Sequence, residues 1–101
     1  MEVVMIKLKD ILEKMGVGDE YYGTAYVKNG NKVQLYRNTE EDRHSVGKRY
    51  KIKKYDYYLI VKTKGANYVV DTGTHILKKA AKWAQGYIQR KVGGTGKERF
   101  S

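Results

Sequence analysis

The chain has 101 residues, with 21 Lys+Arg against 11 Asp+Glu, a formal net charge of +10, and no cysteine or proline. This length fits one domain with one core, and the lack of cysteine excludes disulfides, thiolate zinc sites and thiol nucleophiles and points to a reducing, cytoplasmic setting. No apolar run approaches the roughly 18 residues of a membrane span, and Met1-Glu2-Val3-Val4-Met5-Ile6 has no basic leader before Lys7 and Lys9 interrupt it, which argues against a signal peptide.

Residues 4–15 have helical spacing, with Val4, Leu8, Ile11, Leu12 and Met15 on one side, Lys7, Lys9, Asp10, Glu13 and Lys14 on the other, and Gly16 placed to end the helix. The first few residues have a strand as the alternative, because Val3-Val4-Met5-Ile6 favours β structure. Residues 21–28 read as a strand, Asn29-Gly30-Asn31 as a hairpin turn, and Lys32 to Arg37 as the returning strand. Residues 38–47 are polar and aperiodic and read as a mobile acidic loop. Tyr50 to Lys64 favours a long β stretch with a bend near Lys53-Lys54, placing Tyr55, Tyr57, Leu59 and Val61 on one face and Asp56, Tyr58, Ile60 and Lys62 on the other.

After a turn at Gly65-Ala66-Asn67, Tyr68-Val69-Val70 forms a short strand, and Asp71-Thr72-Gly73-Thr74 offers several side chains to cap a following helix. Residues 75–92 carry the clearest helical pattern: Leu77, Ala80, Ala81, Ala84, Tyr87 and Ile88 make a stripe, with Lys78, Lys79, Lys82 and Arg90 opposite and Trp83 at its edge. Residues 93–101 read as a flexible basic tail. The expected fold is therefore α+β: a small antiparallel sheet of about four strands with an N-terminal and a C-terminal helix on one face, two layers in all, over residues 1–92.

The charge is lopsided. Residues 1–47 hold seven Lys/Arg and eight Asp/Glu, whereas residues 48–101 hold fourteen and three. Concentrating the whole excess in one half argues for a polyanionic partner, set against the alternative of an ordinary solvated basic surface.

Most catalytic chemistry finds no constellation here. Serine occurs only at 45 and 101, and Ser45 directly follows His44, so a Ser-His-Asp arrangement is not expected. His44 and His75 have no cysteine or carboxylate spacing suited to a metal. Gly93-Gly94-Thr95-Gly96-Lys97 has Lys91 where a phosphate-binding loop needs its first glycine and Glu98 where it needs Ser or Thr. The basic half offers only Asp56, Asp71 and Glu98 to a nuclease metal centre. Val69-Val70-Asp71-Thr72-Gly73-Thr74 resembles the active-site triplet of aspartic proteases over six residues, but only 28 residues follow Gly73, too few for that family's later strands and flap, and Asp71 is read as a helix-start residue.

What remains is cationic residues interleaved with aromatics. Lys48, Arg49, Lys51, Lys53 and Lys54 crowd beside Tyr50, Tyr55, Tyr57 and Tyr58. Lysine and arginine neutralise phosphates and release counterions, and exposed tyrosine stacks on bases; Tyr55 and Tyr57 are the expected exposed rings, while at least half of the ten tyrosines are expected to pack in the sheet. Lys78-Lys79-Ala80-Ala81-Lys82 is similar to the signature that opens the last helix of double-stranded-RNA-binding domains. That resemblance implies lysines on phosphates and alanines that let the helix lie close to its sheet; the family's Pro- and His-bearing loop has only His44 as a counterpart here.

The reading is a non-enzymatic nucleic-acid-binding protein without a cofactor or metal, phosphate-led and sequence-tolerant, with duplex favoured over single strand. A basic strand (Lys48, Arg49, Lys51, Lys53, Lys54, Tyr55, Tyr57) and a basic helix face (Lys78, Lys79, Lys82, Arg90) are expected to form one positive surface. The competing reading is an interaction or inhibitor module that docks on a nucleic-acid-handling protein through its acidic-neutral half, Glu40-Glu41-Asp42 included. Self-association is compatible with both readings.

Overall fold

The computed structural model describes residues 17–101; the helix expected over residues 4–15 lies outside them. Among the described residues four strands form one antiparallel sheet in the order β1-β2-β3-β4: β1 (Glu20–Tyr26), β2 (Lys32–Arg37), β3 (Tyr57–Lys62) and β4 (Asn67–Asp71). A short helix, α1 (Val46–Arg49), lies in the β2–β3 connection, and α2 (Leu77–Tyr87) follows β4 and continues into a π-helical turn at Ile88–Val92. No described helix is long and apolar enough to cross a membrane.

The β1–β2 hairpin closes where Asn-Gly-Asn was expected to turn the chain, with Val27 N donating to Asn31 O at 2.8 Å and Gly30 N to Val27 O at 2.9 Å. Strand alternation then sorts the core into two clusters. Val33, Leu35, Tyr57, Leu59, Val61 and Val70 face α2 and the turn after it, which lay Ala80, Ala84, Tyr87 and Ile88 on them. Tyr36, Tyr58, Ile60 and Val69 face the other way and are met by Val46, Ile52, Val17 and Tyr50. Every residue from Tyr57 to Val61 is consequently buried. A sheet covered on one face only does not describe this molecule, because the β2–β3 connection covers part of the second face.

Four local expectations are corrected. The stretch from Tyr50 is not a long strand: it turns through Lys51 and Tyr55, both with left-handed backbone (φ 60° and 70°), and β3 starts only at Tyr57. The acidic loop is not loose, since Asn38 and Ser45 are buried and hydrogen-bonded. Asp71 does not start α2. It ends β4 and accepts a hydrogen bond from Gly73 N at 2.8 Å, while Ile76 occupies the helix N-cap.

The fourth concerns residues 93–101, expected as a flexible tail. They pack back on the sheet: Phe100, partly buried, rests against the core, and Ser101 and Thr24 exchange backbone hydrogen bonds at 3.0 and 3.2 Å. Gly23 permits this, because its φ of 118° suits glycine and a Cβ there would stand 2.9 Å from Ser101 N.

Candidate nucleic-acid interface

The basic segment 48–54 is a shaped loop, and its scaffold is polar. Asn38, fully buried at the end of β2, donates through Nδ2 to Ile52 O at 2.8 Å and through its backbone N to Asp56 O at 2.9 Å. Its carbonyl accepts from Tyr55 N at 2.6 Å. The loop's backbone is thus tied to one residue at Ile52 and again at Tyr55 and Asp56, and this offsets the cost of two non-glycine residues in the left-handed region. Gly47 closes the arrangement, for a Cβ there would lie 2.6 Å from Asn38 Cβ.

Asp19 braces the same loop from below. Its Oδ1 lies 2.7 Å from Ser45 Oγ and accepts from Thr39 N at 3.3 Å, and its Oδ2 accepts from Gly47 N at 2.9 Å and Tyr58 OH at 2.6 Å. Ser45 Oγ also lies 3.0 Å from Asn38 Oδ1 and accepts from Lys48 N at 3.0 Å, capping α1. Burial, with the carboxylate of Asp19 as the next cause, pushes the Tyr58 hydroxyl far above its ordinary pKa.

On this base the loop turns its apolar residues inward and its charges outward. Val46 and Ile52 enter the core, whereas Lys48, Arg49, Lys51, Lys53 and Lys54 are all exposed and form no ion pair among the described residues. Tyr55 is 46% exposed, with Lys54 Nζ 5.1 Å and the Arg37 guanidinium carbon 5.5 Å from its ring centroid. Arg37 pairs with Glu20, and that hydrogen bond raises the guanidinium pKa further. Arg37 also lines an open cleft of about 820 Å³ with Arg43 and the four acids Asp19, Glu20, Glu41 and Asp42, so acidic side chains outnumber basic ones there.

Tyr57, expected as the second exposed ring, is only 5% exposed. It faces α2 and packs edge-on against Tyr22 at 5.2 Å. Only Tyr21, Tyr26 and Tyr55 among the ten tyrosines are exposed. Tyr26 was not anticipated; it stands 69% exposed opposite Lys32 in the β1–β2 register, at the end of the sheet away from Tyr55. Arg37 was also missed, because no local pattern announces a cation that approaches an aromatic ring across the β2–β3 connection.

The second expected element is the helix face. Lys78, Lys79, Lys82 and Arg90 are all exposed, and Ala80 and Ala84, fully buried, bring α2 close to the sheet. The loop and the helix do not form one surface. The loop packs through Val46 and Ile52 on the sheet face of Tyr58, and α2 packs on the face of Leu59, so the two cationic elements cover opposite faces.

Two sequence decoys acquire plain structural roles. The amides of Thr95 and Gly96 donate to the Glu98 carboxylate at 2.8 and 2.9 Å, so the glycine-rich loop is occupied by the chain's own acid, whose pKa those bonds lower. Asp71 makes the turn described above. Among the described residues no three His, Asp or Glu side chains gather as a metal site. Comparison with protein-family models, with curated proteins and with solved structures finds no match.

Proposed function

We propose that this protein binds nucleic acid without catalysing a reaction, and that the primary contact is the loop of Lys48, Arg49, Lys51, Lys53 and Lys54 with Tyr55 at its end. The supporting observation is five exposed cations, free of ion pairs among the described residues, on a backbone held by the buried Asn38. Such a surface offers fixed positive charge to phosphates and little hydrogen-bonding pattern for base edges, so recognition is phosphate-led and sequence-tolerant. Tyr55 adds one ring for an unpaired base. The helix lysines, on the opposite face of the sheet, add a secondary contact that does not hold nucleic acid without the loop.

The test is a mobility-shift titration with random-sequence duplex and single-stranded oligonucleotides at low and physiological salt. Salt-sensitive binding lost in Lys48→Glu/Lys51→Glu/Lys54→Glu and kept in Lys78→Glu/Lys79→Glu/Lys82→Glu supports the loop. The reverse result assigns the contact to α2 and overturns the loop assignment. No binding at low salt discards the reading in favour of protein docking at the acidic cleft beside Glu41 and Asp42.

A further inference from the structure

The two edges of the sheet are treated differently. The β1 edge is interrupted by a register shift between Tyr21 and Thr24 and is covered there by Ser101. The β4 edge, Asn-Tyr-Val-Val-Asp, has no glycine, proline, lysine or bulge. Natural sheets protect an open edge with such devices, so a plain one is poised for pairing.

The hydrogen-bond phase of β4 follows from its ends. Thr63 N donates to Ala66 O at 2.9 Å, and Thr72 N donates to Tyr57 O at 3.2 Å. With Val61 opposite Tyr68 and Leu59 opposite Val70, those two pairs carry the ladder bonds, and Asn67, Val69 and Asp71 aim their N–H and C=O groups away from β3. These outward groups have no backbone partner among the described residues.

We infer that β4 pairs antiparallel with β4 of a second copy of this chain, about a two-fold axis through Val69, to make a continuous eight-stranded sheet. The strand is self-complementary in that register. Val69 exchanges both backbone bonds with Val69 of the partner subunit, and the Asn67 amide stands beside Asp71 of the partner subunit, donor against carboxylate. On the opposite face Tyr68 meets Val70 of the partner subunit, an aromatic against a β-branched side chain. No like charges are opposed. The flank is aromatic as well: the Tyr87 hydroxyl donates to the Tyr68 hydroxyl at 3.4 Å, and Trp83 stacks on Tyr87 with centroids 5.4 Å apart. An interface of two five-residue strands is small, so the dimer is concentration-dependent rather than obligate. The inference stands apart from nucleic-acid binding, because none of these residues belongs to the basic loop.

Sedimentation of nucleic-acid-free protein over a wide concentration range, paired with amide exchange, tests it. The expected result is a reversible monomer–dimer equilibrium in which the Val69 amide becomes protected as concentration rises. Asn67→Asp opposes two carboxylates twice per dimer and raises the dimer Kd about tenfold, whereas Asn67→Lys keeps or tightens it. Position 67 lies opposite Lys62 within one chain, so thermal melts of each variant at a concentration where it is monomeric separate loss of the dimer in Asn67→Asp from a folding defect. A chain that stays monomeric throughout, a dimer indifferent to both substitutions, or a Val69 amide whose exchange ignores concentration overturns the inference.

Discussion

The side-chain amide of Asn38 donates to the carbonyl of Ile52 across the neck of the basic loop, and the removal of this one contact exposes how the charged surface is held. Asn38→Ala leaves the Ile52 carbonyl and the backbone N of Glu40 without their partner. It is expected to lower stability by about 2–3 kcal/mol. Urea denaturation followed by circular dichroism measures it, and faster amide exchange at Ile52 than at the β3 core places the effect in the loop.

Tyr55 and Tyr57 are expected to respond in opposite ways. Tyr55→Ala keeps the fold and weakens single-strand binding by about tenfold, the loss of one stacked base. Tyr57→Ala removes a ring packed beneath α2 and costs about 3–5 kcal/mol of stability. Thermal melts alongside fluorescence-anisotropy titrations with a labelled oligonucleotide separate the two effects.

Alkali is expected to unfold the protein through its buried hydroxyls. Burial, and then the neighbouring Tyr21, push Tyr36 up to about 12, and Tyr58 is raised further for the reasons given above. A raised folded-state value means that the folded chain keeps protons the unfolded chain releases. The contribution is therefore whole below the ordinary tyrosine value of about 10 and is lost as pH climbs through about 12. Melting temperature against pH should be flat below that window from this source and fall within it, with a shallower fall in Tyr58→Phe.

Acid is expected to loosen the Ser101 contact by the converse route. The Thr95 amide, first among the donors to Glu98, holds that carboxyl below its usual range. A depressed value stabilises the docked segment above the ordinary carboxyl pKa and loses that effect as pH falls through the folded value. Amide exchange at Thr24 and Ser101 should accelerate on acidification relative to β3, and Glu98→Gln should give the same acceleration at neutral pH.

Salt separates the two associations. Oligonucleotide affinity should fall with log salt by roughly 0.9 for each duplex phosphate neutralised. Self-association of chains carrying +10 each should hold or tighten as salt screens their repulsion. Isothermal titration and sedimentation across one salt series check both slopes.

The hairpin at Asn29-Gly30-Asn31, four strands and the last helix were legible because turn residues and apolar periodicity are local signals. A strand period of two carried back through Tyr55 misplaces the basic segment. An extended chain would place Tyr55 and Tyr57 on the same face. The left-handed turn at Tyr55 breaks that relation, and tyrosine is not a residue type that signals a positive φ. The cover on both faces was announced by the unbroken run Tyr57-Tyr58-Leu59-Ile60-Val61, which a half-exposed strand would interrupt with polar residues. Asn38 and Asp19 gave no such notice: their worth comes from partners far along the chain.

Trp83, the chain's single tryptophan, rests on Tyr87 beside β4, on the face of the sheet turned away from the basic loop. Its ultraviolet emission is therefore a built-in reporter that discriminates by location. Strand-to-strand assembly alters the light it gives, while a polyanion captured at the loop leaves the colour and intensity of that light as they were.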